Sequence, residues 1–174
     1  MEIEFERTFL LKYKPENLGK YPHCKITDIY FPEEEFHPVL RLRNRDGKKF
    51  EMTKKFPLSG KDSSEQEEHT IALSKKEFNS LLKTGGKKVV KIRYYYQMPN
   101  GQKAEIDIFQ DKLRGLALVD FEFTDRNKKD EFVMPDFCLA DVGQDKWLAG
   151  GILSGKSYSD LEKAFKKYNY KKIR

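Results

Sequence analysis

Polar and apolar residues alternate through most of this chain, and this period of two restricts the fold more than any other feature of the sequence. In EIEFERTFLL, a strand would place Glu2, Glu4 and Glu6 on one face and Ile3 and Phe5 on the other, because successive side chains of a strand point to opposite faces. The same period recurs in segments 25–31, 39–56, 66–73, 88–98, 103–111 and 116–124. The sequence therefore predicts seven or eight strands in an antiparallel α+β fold.

Turn and helix signals separate these strands. Asp46-Gly47 is a hairpin turn dipeptide within 39–56, and segments 15–22 and 125–132 are expected to form turns or short helices. Capping boxes precede two helical patterns, one ended by the glycines at 85 and 86 and the other in the tail at 157–172. Their cap pairs are Ser74 with Glu77 and Ser157 with Asp160.

Size and composition limit the class of protein. The 174 residues suffice for one domain with a core, which we expect to span 1–174, and a 13% aromatic content argues against disorder. The formal net charge of +6 favours an anionic partner. Cys24 and Cys138 stand apart without a C-x-x-C motif, which suits a reduced cytoplasmic protein, and no apolar stretch is long enough to predict a membrane span, so no membrane partner is expected.

The charges on the polar faces are segregated by sign from strand to strand. The polar faces carry Glu2, Glu4, Glu6 and Thr8; Arg41, Arg43 and Arg45; Glu51, Thr53 and Lys55; Gln66, Glu68 and Thr70; Lys91, Arg93 and Tyr95; Glu105 and Asp107; and Asp120, Glu122 and Thr124. An ordinary solvated sheet face would explain any one of these strands. Solvated faces usually mix their polar residues, however, so the segregation favours a barrel with polar side chains inside and apolar side chains outside.

Such an interior suits a polyphosphate with bound metal. Arginine clamps phosphate oxygens with two hydrogen bonds, and paired carboxylates hold hard cations such as Mg²⁺ or Mn²⁺. Stacking of nucleic-acid bases on Tyr94, Tyr95 and Tyr96 is an alternative. In a strand, however, Tyr94 and Tyr96 face away from Arg93, which favours packing on the outside of the barrel.

The ordered motifs resemble those of the CYTH superfamily, the triphosphate tunnel metalloenzymes, over residues 2 to 165. EFERT is similar to the family's E-x-E-x-K motif, with Glu4 and Glu6 in place and Thr8 where the lysine is expected. Further similar segments carry Arg41, Arg43 and Lys55 in VLRLRNRDGKKFEMTKK; Glu68 in EEHTIAL; Lys91 and Arg93 in KIRYYY; Glu105 and Asp107 in AEIDIF; Asp120 and Glu122 in LALVDFEF; and Asp141 and Lys156 in ADVGQDKWLAGGILSGKSY.

This resemblance implies a fold, a function and a site. The fold is an eight-stranded antiparallel β-barrel tunnel with a charged interior and a few flanking helices. The function is metal-dependent hydrolysis of a triphosphate, inorganic tripolyphosphate first, in the cytoplasm; no specific nucleic acid is expected, and a homodimer is left open. The implied metal ligands for Mg²⁺ or Mn²⁺ are Glu4, Glu6, Asp120 and Glu122; the catalytic set is Glu4, Glu6, Arg41, Arg43, Lys55 and Arg93; and the substrate-binding set is Arg41, Arg43, Lys55, Glu68, Lys91, Arg93 and Lys156.

Two other functions are compatible with the same sequence: a class IV-type adenylyl cyclase, and a non-catalytic barrel that binds polyphosphate or nucleic acid. Several residues also have a structural interpretation, with Glu2 near the terminus, Arg45 on the hairpin surface, Lys91 at the rim and Glu105 as the partner of an arginine. Thr8 is in phase with Glu4 and Glu6 and should face the same interior. Since Thr8 lacks the lysine's charge, a slower chemical step or a different triphosphate is expected.

Overall fold

Antiparallel strands dominate the computed structural model, which describes residues 2–58 and 63–174. The strands are β1 (Glu2–Leu11), β2 (His23–Phe31), β3 (Leu40–Arg45), β4 (Lys49–Pro57), β5 (Glu65–Leu73), β6 (Lys87–Gln97), β7 (Lys103–Phe109), β8 (Ala117–Phe123) and β9 (Cys138–Asp141). They lie in one sheet in the order β5-β4-β3-β2-β6-β7-β8-β1-β9.

A further pairing between β1 and β5 closes eight of these strands into a barrel. The first half of β1 pairs with β5, from Glu2↔Glu68 to Phe5↔Glu65, and its last residues pair with β9 along the same edge. The opposite edge of β1 pairs with β8. The predicted eight-stranded antiparallel barrel is therefore confirmed, and β9 is an additional short strand that the sequence pattern did not predict.

Short helices connect and cover the strands. They are α1 (Lys75–Leu81), α2 (Arg126–Asp130), α3 (Gly150–Leu153) and α4 (Tyr158–Phe165), with 3-10 turns at Leu18–Lys20, Leu82–Thr84, Asp111–Leu113, Lys146–Leu148 and Lys166–Tyr168. Both predicted capping boxes are present, Ser74 with Glu77 before α1 and Ser157 with Asp160 before α4. None of the helices in the described ranges is long and apolar enough to cross a bilayer.

The β3–β4 hairpin forms where the sequence predicts it. Asp46 and Gly47 both have positive φ, 54° and 70°, as a type I′ turn requires. Asn44 supports the turn because its side-chain oxygen accepts a hydrogen bond from the Gly47 amide at 2.7 Å. This turn fixes the register of β3 against β4 and so fixes which of their side chains point inward. In the predicted loop 57–65, residues 59–62 lie outside the described residues.

Apolar side chains on the outer face of the barrel form two clusters. One joins Phe78 of α1 to Ile29, Leu42 and Phe50. The other surrounds Phe121. The centroid of its ring lies 5.8 Å from that of Phe9 and 4.6 Å from that of Phe132, a residue that follows α2. Tyr94 and Tyr96 pack against this second cluster, which confirms their predicted place outside the barrel.

A third cluster closes part of one end of the barrel. The inward-facing residues at that end are apolar, and they pack with residues of α3, α4 and the 146–148 turn: Leu10, Tyr30, Val89, Phe109 and Leu118 with Leu148, Leu153, Leu161 and Phe165. The approach is close, since a Cβ on Gly151 would lie 2.1 Å from the Pro38 carbonyl oxygen. The charged part of the interior therefore rests on an apolar floor along β1, β8, β7, β6 and β2.

Candidate functional site

Strand register brings the predicted polar sets together inside the barrel. Residues that face each other across an antiparallel pair point to the same side of the sheet. The facing pairs with charged side chains include Glu6↔Glu122, Thr8↔Asp120, Asp28↔Arg43, Lys55↔Glu68 and Arg93↔Asp107. Their neighbours in sequence, such as Phe9, Leu42 and Phe121, belong to the outer clusters. The charged interior that the alternation predicted is thus present.

Arg43 is held by a carboxylate that the sequence analysis did not single out. Its Nε and Nη2 donate to Oδ1 and Oδ2 of Asp28 at 2.7 and 2.8 Å, and both side chains are buried. Burial opposes the charge of Asp28, but Arg43 outweighs burial and holds the pKa of the carboxyl well below its usual range. Asp28 could have been found as a lone acid in phase with Ile26 in KITDIYF.

Lys91 and Arg93 form a second buried network with the carboxylates of β7 and β8. Arg93 donates to Asp107 from Nε and Nη2, at 2.7 and 2.6 Å, and to Oδ2 of Asp120 at 3.0 Å. It also pairs with Glu105, and Lys91 pairs with Asp107. Glu105 is therefore an arginine partner, as the structural interpretation held, whereas Lys91 is 9% exposed and does not lie at the rim.

Lys55 links the carboxylates of β1 and β5. Its ammonium pairs with Glu4 and lies 3.1 Å from Oε2 of Glu68. Burial works against protonation of Lys55, but Glu6 and Glu4 outweigh it and raise the pKa of the ammonium. For Glu68, the attraction of Lys55 exceeds the effect of burial and lowers the pKa to about 2. Lys55 is thus a permanent cation beside the β1–β5 pairing that closes the barrel.

Arg41 differs from the other inward-facing cations. Its side chain makes no ion pair with a residue of the described ranges, and its Nε is buried without a hydrogen-bond partner there. A buried guanidinium N–H without an acceptor is costly, so an anion at this position would remove an existing penalty. Among the inward-facing cations described, Arg41 is therefore the one with a buried donor that has no acceptor.

Four carboxylates lie on the paired strands β1 and β8, namely Glu4, Glu6, Asp120 and Glu122. Glu6 faces Glu122 directly, and no basic side chain in the described part of the chain hydrogen-bonds to either. Burial and the charges of Glu105 and Glu6 raise the pKa of Glu122. Burial and the charge of Glu6 raise the pKa of Asp120 to about 7. Like-charged groups crowded in this way favour a cation between them.

The donor chemistry of this group fits a hard divalent cation, since all four predicted ligands are carboxylates. In the arrangement seen, no three acidic, histidine or cysteine side chains of residues 2–58 and 63–174 are grouped closely enough to hold a metal ion. Glu4 is engaged by Lys55, and Asp120 by Arg93 and Thr8. Metal binding at these residues would therefore require some of these contacts to rearrange.

Three other predicted positions lie elsewhere or have unexpected partners. Lys156 follows α3, with its Nζ 6.0 Å from the ring centroid of exposed Phe36, and it has no ion pair in the described ranges. Asp141 accepts hydrogen bonds from Arg7 at 2.7 and 3.0 Å, and Arg7 points to the face opposite Glu6 and Thr8. Arg45 was expected on the hairpin surface, but its side chain points inward and contacts Glu51 and the Tyr95 hydroxyl.

Comparison with known proteins gives a consistent picture. The profile of the CYTH domain family matches residues 2–131. An inorganic triphosphatase from Nitrosomonas europaea is 30% identical over 144 residues, which cover 82% of this chain and 91% of that protein. A crystal structure of an inorganic triphosphatase is 27% identical, with a TM-score of 0.62, and the match covers 88% of this chain and 95% of that one. A candidate adenylate cyclase from Bacillus halodurans, 14% identical with a TM-score of 0.52 over 99% of this chain and 93% of its own, shares the fold alone.

Proposed function

The chain belongs to the CYTH domain family, and on that premise we propose that it is a divalent-metal-dependent triphosphatase acting on inorganic tripolyphosphate. The 30% identical relative is an inorganic triphosphatase, which supports the choice of reaction and of substrate. The closed barrel with a charged interior supports it independently, because phosphoryl transfer depends mainly on positioning and on stabilisation of charge.

One observation carries the proposal most directly. The Arg41 guanidinium, whose buried Nε has no hydrogen-bond partner in the described ranges, lies on β3, four strands around the closed ring from β8, where Glu122 faces Glu6 across the β8–β1 pair. On this proposal, the anion site lies on one wall of the interior and the cation site on the opposite wall. A triphosphate with bound divalent cations has both charges in one ligand, whereas either ion alone would satisfy only one wall.

The proposed metal ligands are Glu4, Glu6, Asp120 and Glu122, with Mg²⁺ or Mn²⁺ as the ion. A bound divalent cation would polarise a phosphoryl oxygen and neutralise developing charge. The mutual repulsion of Glu6 and Glu122, and the raised pKa values of Asp120 and Glu122, support this assignment.

The cationic residues divide into two proposed roles. Arg41 would clamp phosphate oxygens directly, with Lys55 beside it, because the Lys55 ammonium is charged at neutral pH and keeps part of its surface accessible. Arg43, Lys91 and Arg93 are buried and tied to carboxylates, so they would contribute a fixed positive field more than direct contacts. Glu68 would orient Lys55. Lys156 would reach substrate only if the loop that carries it approached the barrel.

The test is a phosphate-release assay with tripolyphosphate, thiamine triphosphate, ATP and pyrophosphate, each with Mg²⁺, Mn²⁺ or EDTA. The expected result is release from tripolyphosphate that requires the metal and exceeds release from the other three. Cyclic AMP is measured in the ATP samples. No release from any substrate would refute the proposal and favour a binding barrel, and cyclic AMP as the main product would favour a cyclase.

Three further features of the protein belong to this proposal. We propose that residues 1–174 form a single domain, since residues 148–170 complete the apolar cluster at the barrel end. We propose a cytoplasmic location, in keeping with the free thiols of Cys24 and Cys138. A homodimer is the assembly to test by light scattering; exposed apolar residues on the outer face of β1, β4 and β5, among them Ile3, Phe56 and Ile71, offer a contact surface.

A further inference from the structure

Thr8 lies between two of the carboxylates proposed to hold the metal. Its Oγ1 is 2.9 Å from Oδ1 of Asp120, the residue that faces it across β8, and 3.1 Å from Oε1 of Glu6, two residues earlier on the same face. Both distances are within hydrogen-bonding range. The hydroxyl therefore bridges a carboxylate of β1 and a carboxylate of β8.

The two carboxylates differ in how many other contacts hold them. Oδ2 of Asp120 also accepts a hydrogen bond from Arg93 at 3.0 Å, so Asp120 is held from two sides. For Glu6, Thr8 is the sole side-chain hydrogen-bond partner in the described ranges. The direction in which the Glu6 carboxylate points depends on this one hydroxyl, because the other acidic neighbour, Glu122, repels it.

The residue type at position 8 also affects the net charge beside the carboxylates of Glu6 and Asp120. A threonine has one proton to donate, so it cannot satisfy two ionised carboxylates at once, and it brings no positive charge. A basic side chain at position 8 would instead place a cation where the carboxylates converge. Asp120 already has Arg93 as a positive partner, so with threonine at position 8 it is at Glu6 that the need for positive charge is left to an ion from solution.

We propose that Thr8 is a positioning residue that aims Glu6 and Asp120 at a shared divalent-cation site and, being uncharged, leaves Glu6 without a hydrogen-bonded cation of the described ranges that would compete with the metal ion. The inference deepens the proposed function and rests on its metal requirement. Residues that orient metal ligands by hydrogen bonds commonly change metal affinity about 10- to 100-fold when they are replaced.

The experiment titrates Mn²⁺ alone into the full chain, without substrate, and measures free Mn²⁺ by electron paramagnetic resonance. Thr8→Val keeps the shape and removes the hydroxyl, and it should weaken Mn²⁺ binding about 10-fold. Thr8→Ser keeps the hydroxyl and should restore affinity to within about threefold of the natural chain, on the same principle. Thr8→Lys should also weaken binding, because its ammonium competes with the ion.

Thr53→Val is the matched control, since Oγ1 of Thr53 is an inward-facing hydroxyl that contacts Oγ1 of Thr70 at 2.8 Å and no carboxylate proposed to bind metal. Thermal unfolding in EDTA shows whether each variant is folded. Equal Mn²⁺ affinity for the natural chain and a folded Thr8→Val would overturn this inference and leave the proposed function standing. If Thr8→Val does not fold, the Mn²⁺ affinities of Thr8→Ser and Thr8→Lys are compared instead. Equal Mn²⁺ affinities for these two variants would count against the inference. Absence of Mn²⁺ binding by the natural chain would overturn both.

Discussion

Arg41 and Arg43 offer the sharpest test of the site, because they share a strand, a face and a residue type but differ in their partners. Arg43 is 6% exposed and forms two hydrogen bonds with Asp28, which is 2% exposed. Arg43→Ala would leave that carboxylate buried without a counter-charge, which costs about 3–5 kcal/mol in the free energy of unfolding. Arg41→Ala removes a guanidinium whose buried Nε has no described partner, so the free energy of unfolding should change by less than about 1 kcal/mol.

Substrate binding should show the reverse order. If Arg41 donates two charge-assisted hydrogen bonds to phosphate, its loss should cost about 1.5–3 kcal/mol, or roughly 10- to 100-fold in affinity for tripolyphosphate. The assays are urea unfolding followed by circular dichroism at pH 7 without phosphate, and calorimetric titration of tripolyphosphate with Mn²⁺ present. Replacement of both partners in Asp28→Leu with Arg43→Met should recover much of the stability that Arg43→Ala loses. Equal destabilisation by the two arginine variants would refute this division of roles.

The remaining predictions concern pH, metal, turnover and the closed end of the barrel. Burial would raise the pKa of Asp28, but Arg43 outweighs burial and lowers it. The pair therefore stabilises the fold above the unfolded pKa of about 3.9, and this stabilisation is lost as the pH falls further. The difference in free energy of unfolding between the natural chain and Asp28→Asn, measured in urea, should be largest at neutral pH and shrink below about pH 4. Glu4→Gln should keep the fold by circular dichroism yet abolish metal-dependent phosphate release, and unchanged metal affinity and turnover would contradict its role as a ligand. At saturating Mn²⁺, where weaker metal binding no longer limits the rate, Thr8→Lys should raise tripolyphosphate turnover if the missing ammonium limits the chemical step, and no change beside a robust natural activity would show that the lysine is dispensable. Gly151→Ala forces a Cβ to within 2.1 Å of the Pro38 carbonyl oxygen and should lower the melting temperature, whereas Gly19→Ala, with open space around it, should not.

Local signals in the sequence predicted much of the fold correctly. The period of two fixed both the strands and the face that each side chain takes, and Asp46-Gly47 set the register of β3 against β4. The capping boxes located α1 and α4. These features depend on residues within a few positions of one another, so the sequence states them directly. The short elements β9 and α3 have four residues each and show no full period, which explains why they were not predicted.

The pairing of charges inside the barrel could not be predicted in the same way. The alternation places Arg41 and Arg43 on the same face, but it does not say that Asp28 engages one of them and not the other. Such partners are set by the register between strands and by barrel closure, as when Arg93 of β6 reaches Asp120 of β8 across β7. For this reason the sequence identified the inward-facing residues and missed the distinction between structural cations and free ones.

The pairing of charges in the interior gives a physical reason for the proposed metal requirement. Most of the cations that point into the described part of the barrel are tied to its own carboxylates, as Arg43 is to Asp28 and as Lys91 and Arg93 are to Asp107. A triphosphate would bring further negative charge into this interior, and the tied cations are not free to neutralise it. On the proposed function, we therefore expect divalent cations to accompany the substrate, and by thermodynamic linkage each ligand should strengthen the binding of the other to the same extent.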